Sequence, residues 1–166
     1  MLVHEFLERS CSRHASKTAL IAGERRLAYG DLEAAANRLA RALQAAGIAY
    51  GDRVAVLLDN SAEAVVAIFG ILKAGAILVM LGPATKSKKL AHVLADCRAT
   101  ALITHAGKWA AAAAAGPAAP SLKVLILVGE PLPPGRQAWE ILPWEELQRT
   151  VSAERPPCPA IDIDLA

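Results

Sequence analysis

"GDRVAVLLDNSAEAVVAIFGILKAGAILVMLGP", residues 51–83, is the stretch on which the fold turns. Gly51-Asp52 opens it as a turn, Val54–Leu58 follows as an unbroken apolar run, and Asp59-Asn60 makes a polar exit. An apolar run without alternation is the mark of a strand buried on both faces. Asn60 and Glu63 stand at N-cap and N3 spacing, which predicts a capping-box-like start for a helix over 61–73. Gly75 is placed to end that helix, "AILVML" (76–81) is predicted as a second buried strand, and Gly82-Pro83 stops it. Strand, helix and strand in so short a span make one βαβ unit, with parallel strands and a right-handed crossover.

The same grammar continues downstream. Leu90, Val93, Leu94 and Cys97 mark a helix, "ATALIT" (99–104) a third strand and "KVLILVG" (123–129) a fourth, buried one. Between the last two, "WAAAAAAGPAAP" (109–120) reads as a short alanine helix broken at Gly116-Pro117 or as a surface linker, the helix being favoured. "EPLPPG" (130–135) is Pro-rich, a short helix is predicted around Trp144–Leu147, and "ERPPCP" (154–159) reads as an exposed linker. The chain ends on "PAIDIDLA" (159–166), where Ile161, Ile163 and Leu165 alternate with Asp162 and Asp164 as in a half-buried strand.

Upstream, Val3, Phe6, Leu7 and Cys11 approximate a helical stripe, and "TALIAGERRLAY" (18–29) reads as a β-hairpin turning at Gly23-Glu24. Leu32, Ala36, Leu39 and Leu43 share one helix face, with Arg38 and Arg41 off it and Gly47 at the C′ place. Ala28 stands where a capping Ser or Thr would help most. The fold class is therefore α/β, a largely parallel sheet flanked by helices. A helix and hairpin occupy 1–30, an α/β core 31–129, a Pro-rich linker and short helix 130–160, and a strand 161–166. No period of 20–50 residues repeats.

Composition narrows the function classes. Of 166 residues 54% are apolar but only 4% aromatic, so the core must be Leu, Ile, Val and Ala. The net charge of +2, with acids and bases interspersed, offers nothing to nucleic acid or to an anionic membrane. Ala74–Leu81, the longest strongly apolar stretch, is far short of the roughly 20 residues of a spanning helix. Glu5, Glu8 and Arg9 interrupt any signal-peptide core, so a cytoplasmic location is expected. Cys11, Cys97 and Cys158 form no disulfide framework or CxxC pair, and His4, His14, His92 and His105 have no metal-ligand spacing.

Open α/β sheets bind ligands beyond the carboxyl ends of their strands. The predicted exits read "DNSAE" (59–63), "GPATKSKK" (82–89), "HAGK" (105–108) and "GEPLPPG" (129–135). None is a GxGxxG or P-loop sequence, and no GxSxG elbow occurs. Lys86, Lys88 and Lys89 read as a solvated helix start sooner than as an anion site. His105 with Lys108 is a weak proton-transfer candidate, and Asp162 with Asp164 reads as an exposed strand face sooner than as a metal site. The residues alone give a scaffold with no catalytic, cofactor-binding or metal residue.

Three blocks, "LAYGDLEAAANRLARAL" (27–43), residues 51–83 and "LAHVLADCRATALIT" (90–104), together resemble the start of the AMP-forming acyl-activating enzymes. That family holds the acyl-CoA synthetases, luciferases and peptide-synthetase adenylation domains. The resemblance implies an N-terminal subdomain of the adenylate-forming fold. It also implies activation of a carboxylic acid with ATP and Mg as an acyl-adenylate, then transfer to CoA or a phosphopantetheine acyl carrier protein. In the family a strand like "IDIDLA" runs into a phosphate loop, so 1–166 is expected to be the N-terminal part of a longer, cleaved or split ligase, inactive alone. Its partner is the remaining C-terminal part, with the carboxylic acid and acyl acceptor; no family catalytic residue maps onto this chain. The family often places an aromatic and a proline in the strand after "LKAG". Here Ile77–Leu81 and Gly82-Pro83 stand there, which favours a fatty or aryl acid over an amino acid. The alternatives are an amino-acid-activating adenylation domain and a non-catalytic α/β interaction or regulatory module.

Overall fold

The computed structural model describes residues 1–131 and 139–161. Helix α1 (Val3–His14) leads to a hairpin of β1 (Thr18–Ala22) and β2 (Arg25–Ala28), which stands apart as a two-stranded sheet. Helix α2 (Tyr29–Ala45) is followed by β3 (Arg53–Leu57), α3 (Ala62–Lys73), β4 (Ile77–Met80), α4 (Ser87–Asp96) and β5 (Ala101–His105). Then come α5 (Trp109–Ala115), β6 (Val124–Val128), β7 (Glu140–Pro143) and α6 (Trp144–Thr150). The main sheet has the order β4-β3-β5-β6-β7, parallel throughout.

Each central strand serves two cores. Val54, Val56, Ala101, Ile103, Val124 and Ile126 point to the side of α2, α3 and α6. Ala55, Leu57, Leu102, Leu125 and Leu127 point to the side of α4 and α5. Alternation is present in space but hidden in sequence, because both faces demand apolar residues. One hydroxyl lies among them: Thr104, fully buried, donates from Oγ1 to the Leu57 carbonyl at 2.9 Å, tying β5 to β3. Thr104→Val is expected to cost about 1 kcal/mol, read as a lower denaturation midpoint. An unchanged midpoint would show that the bond contributes nothing.

Several local expectations are corrected. Ser61, not Asn60, caps α3: its Oγ accepts from Ala64 N at 3.2 Å, because the first helical residue is Ala62. Glu63 instead pairs with Arg25 on the hairpin. At α2 the methyl of Ala28 accepts nothing, but Asp31 Oδ2 accepts from Ala28 N at 3.0 Å, supplying the reciprocal half of a capping box. β4 is an edge strand and only half-buried, with Met80 48% exposed. "EILP" (140–143), given no strand in the sequence reading, is β7, paired to β6 from Val124↔Glu140 to Leu127↔Pro143. Its proline is tolerated at the sheet edge.

The alanine stretch is helix α5 and not a linker, continued as a 3-10 turn over Gly116–Ala118. Ala112, Ala115 and Ala119 lie in the second core, and Trp109 meets Trp139 edge-on at 6.3 Å. "ERPPCP" is not a free linker either. Pro156 is buried, and Gln44 Nε2 donates to the Pro157 carbonyl at 2.9 Å. The strand expected over 161–166 and most of "EPLPPG" lie outside the described residues, Ile161 apart.

Candidate functional site

Neighbouring strands β3 and β5 send the chain to opposite faces of the sheet, into α3 and α5 respectively. The gap between their carboxyl ends is the topological switch point, the usual ligand position in such sheets. Asp59 lies beyond β3 there, Gly82-Pro83 beyond β4, and His105 to Lys108 at the end of β5.

Lys108 organises this rim. Its ammonium lies 3.2 Å from Asp59 Oδ1 and donates to the Pro83 carbonyl at 2.8 Å, joining three strand exits. His105 turns elsewhere: Nδ1 accepts from Gly107 N at 3.1 Å, and Nε2 lies against Gly129. The proton-transfer pair suggested by their spacing is therefore not assembled. Gly129 N, beyond β6, donates to Glu145 Oε1 at 3.0 Å. Lys86 and Lys89 line an open recess with Gly82, Pro83, Ala84 and Thr85, while Lys88 is exposed on α4.

Binding a nucleotide's phosphates takes a set of free N–H donors and an uncommitted cation. Here the Lys108 ammonium is spent on Asp59 and Pro83, and the Gly129 amide on Glu145. At these two strand ends the cation and the amide are thus already engaged within the chain. No group of three His, Cys, Asp or Glu side chains among the described residues is placed to hold a metal, and Asp162 and Asp164 lie outside them. Burial pushes the thiols of Cys11 and Cys97 up, away from nucleophilic character.

A second charged cluster escaped the sequence reading. Lys73, at the end of α3, is 1% exposed, and its Nζ donates to Glu8 Oε1 at 2.6 Å and to Glu33 Oε1 at 2.8 Å. The other oxygen of Glu8 meets Arg155 at 2.7 Å. His4 is buried beside them; desolvation holds its imidazole below the ordinary range, against the pull of Glu8. The available signal was a single lysine inside "FGILKAGAI", where every neighbour is apolar or glycine.

The family model described as AMP-binding enzyme matches residues 7–158. Phosphinothricin tripeptide synthetase PhsC of Streptomyces viridochromogenes is 44% identical over 111 residues, 65% of this chain and 10% of that protein. Bacitracin synthase 1 of Bacillus licheniformis is 36% identical over 102 residues, 61% of this chain and 2% of that protein. Among solved structures, an anthranilate CoA ligase in complex with anthranoyl-AMP superposes with a TM-score of 0.83 at 29% identity. That match covers 93% of this chain and 29% of the ligase. The chain thus spans a tenth or less of these curated relatives, and under a third of that ligase. No helix among the described residues is long and apolar enough to cross a membrane.

Proposed function

Because this chain belongs to the AMP-binding enzyme family, we propose that residues 1–166 are the N-terminal portion of the adenylation domain of an ATP-dependent acid–thiol ligase. The observation that carries this is the family match over residues 7–158, together with the parallel sheet it predicts. The reaction class converts a carboxylic acid and Mg-ATP to an acyl-adenylate and pyrophosphate. Transfer to the thiol of CoA or a carrier protein then gives a thioester and AMP. We place none of these steps on the described residues, where the Lys108 ammonium is engaged by Asp59 and the Pro83 carbonyl and the Gly129 amide by Glu145. Their part is to hold the sheet and the direction of the chain against which the remainder of the enzyme assembles.

For the acid, the chain's Gly82-Pro83 ending of the β4 segment favours an aryl or fatty acid, and the structural match to an anthranilate CoA ligase supports it. A second reading, an amino acid, is favoured by the 44% identity to a tripeptide synthetase. Trapping the activated acid with hydroxylamine in the full-length protein separates them. Hydroxamate from benzoic, anthranilic or fatty acids above that from the proteinogenic amino acids is the expected result. The reverse order selects the amino-acid reading. A folded protein giving none with either panel overturns the ligase assignment in favour of a non-catalytic module.

A further inference from the structure

Among the described residues, the chain beyond α6 has no helix or strand, yet its course is fixed contact by contact. Asn37 Nδ2, on α2, donates to the Ala153 carbonyl at 3.0 Å. Arg155 meets Glu8 of α1, Pro156 is buried, and Gln44 of α2 holds the Pro157 carbonyl. Cys158 Sγ lies 3.6 Å from the Leu72 carbonyl, and the Pro159 ring lies against Gly75. Two of these seats, Leu72 and Gly75, belong to the turn "LKAG" at the end of α3, and Lys73 between them is the buried partner of Glu8. Gly75 has φ +79, and a Cβ there would stand 3.2 Å from Pro159 Cδ, so the turn and the close approach both call for glycine.

We propose that residues 151–159 are a strap seated on the Leu72–Gly75 turn, and that Lys73 and Arg155 are positioning residues for the ligase. By holding Glu8 between them, they set the path on which the chain leaves this layer toward the rest of the enzyme. The physical case has three parts. A segment carrying Pro156, Pro157 and Pro159 is stiff, so a few anchors fix its direction. Two of its carbonyls, those of Ala153 and Pro157, take their donors from α2, so α2 helps to set its course. Finally, the nearly buried Glu8 is held from both sides, one oxygen by Lys73 and the other by Arg155.

The kinetic part of this proposal rests on the adenylation reading; the structural part does not. In the full-length protein, the alkylation rate of Cys158 by iodoacetamide, located by peptide mass spectrometry, reports strap release, with Cys97 as internal reference. Arg155→Ala is expected to raise it about fivefold, and Arg155→Ala with Gln44→Ala more than about tenfold, with Cys97 unchanged. Arg155→Lys should stay within about twofold of the parent. Because Arg155 is largely exposed, these variants keep the fold where Lys73→Met would strain it. In the two alanine variants, but not in Arg155→Lys, the KM for ATP should rise at least about threefold, with kcat moving less. Unchanged Cys158 labelling in the double variant overturns the strap. Faster labelling with an unchanged ATP KM overturns the positioning role. A parent protein with no adenylation at all refutes the ligase reading instead, and the labelling then decides the strap alone.

Discussion

Lys73→Met is expected to destabilise the protein by about 3–5 kcal/mol, a large fraction of the total stability of an ordinary domain. The lysine is 1% exposed and is shared by Glu8 and Glu33, whose side chains are 12% and 15% exposed. Methionine fills most of its volume, so the loss comes from Glu33 left without a cation and Glu8 left with Arg155 alone, in a poorly solvated place. Glu33 makes this worse, because its Oε2 is buried with no donor among the described residues. Adding Glu33→Gln to Lys73→Met should recover part of the loss by removing one stranded charge. Chemical denaturation of the three variants checks both statements. A cost below about 1 kcal/mol would mean that water reaches the cluster and that its charges are screened.

Gly70→Ala should destabilise by about 2 kcal/mol, although alanine is the better helix former by about 1 kcal/mol. Helices α2 and α3 pack against each other here. A Cβ on Gly70 would stand 2.7 Å from Leu39 Cδ2 and 2.9 Å from Leu39 Cβ and Cγ. Leu39 is fully buried, and its Cβ is fixed to the α2 backbone, so rotamer change cannot clear the overlap. The helices must separate. The double variant Gly70→Ala, Leu39→Ala should be more stable than the sum of the single losses, since the overlaps with Leu39 Cγ and Cδ2 are then gone and only that with Cβ remains. A stabilised Gly70→Ala protein would show that the two helices separate at little cost.

The parallel sheet was legible because β3, β5 and β6 are buried on both faces and therefore appear as continuous apolar runs. The same logic misjudged β4. Its composition is that of a central strand, and only the strand order reveals that it lies at an edge with Met80 exposed. β7 carried too little signal: four residues between a Pro-rich stretch and a helix, ending in a proline.

The candidate sites were less legible, because their partners are distant in sequence. Lys108 and His105 are three residues apart, but Lys108 is satisfied by Asp59, 49 residues away. Lys73 takes Glu8 and Glu33 from 65 and 40 residues away. Nothing in local spacing announces either. The three sequence blocks that resemble the family do fall on α2, on β3 to β4 and on α4 to β5, elements of the sheet and the helices packed on it.

The most direct test of the ligase assignment is exchange of labelled pyrophosphate into ATP, measured on two samples. One is residues 1–166 alone, and the other is the same chain joined to the sequence that follows Ala166 in its gene. The expected result is no exchange and no saturable ATP binding for the first, and exchange that depends on added carboxylic acid for the second. Exchange by residues 1–166 alone would mean that a strand end now closed by Lys108 or Glu145 opens to bind nucleotide. Its absence from the folded, extended protein across a broad panel of acids would contradict the assignment itself.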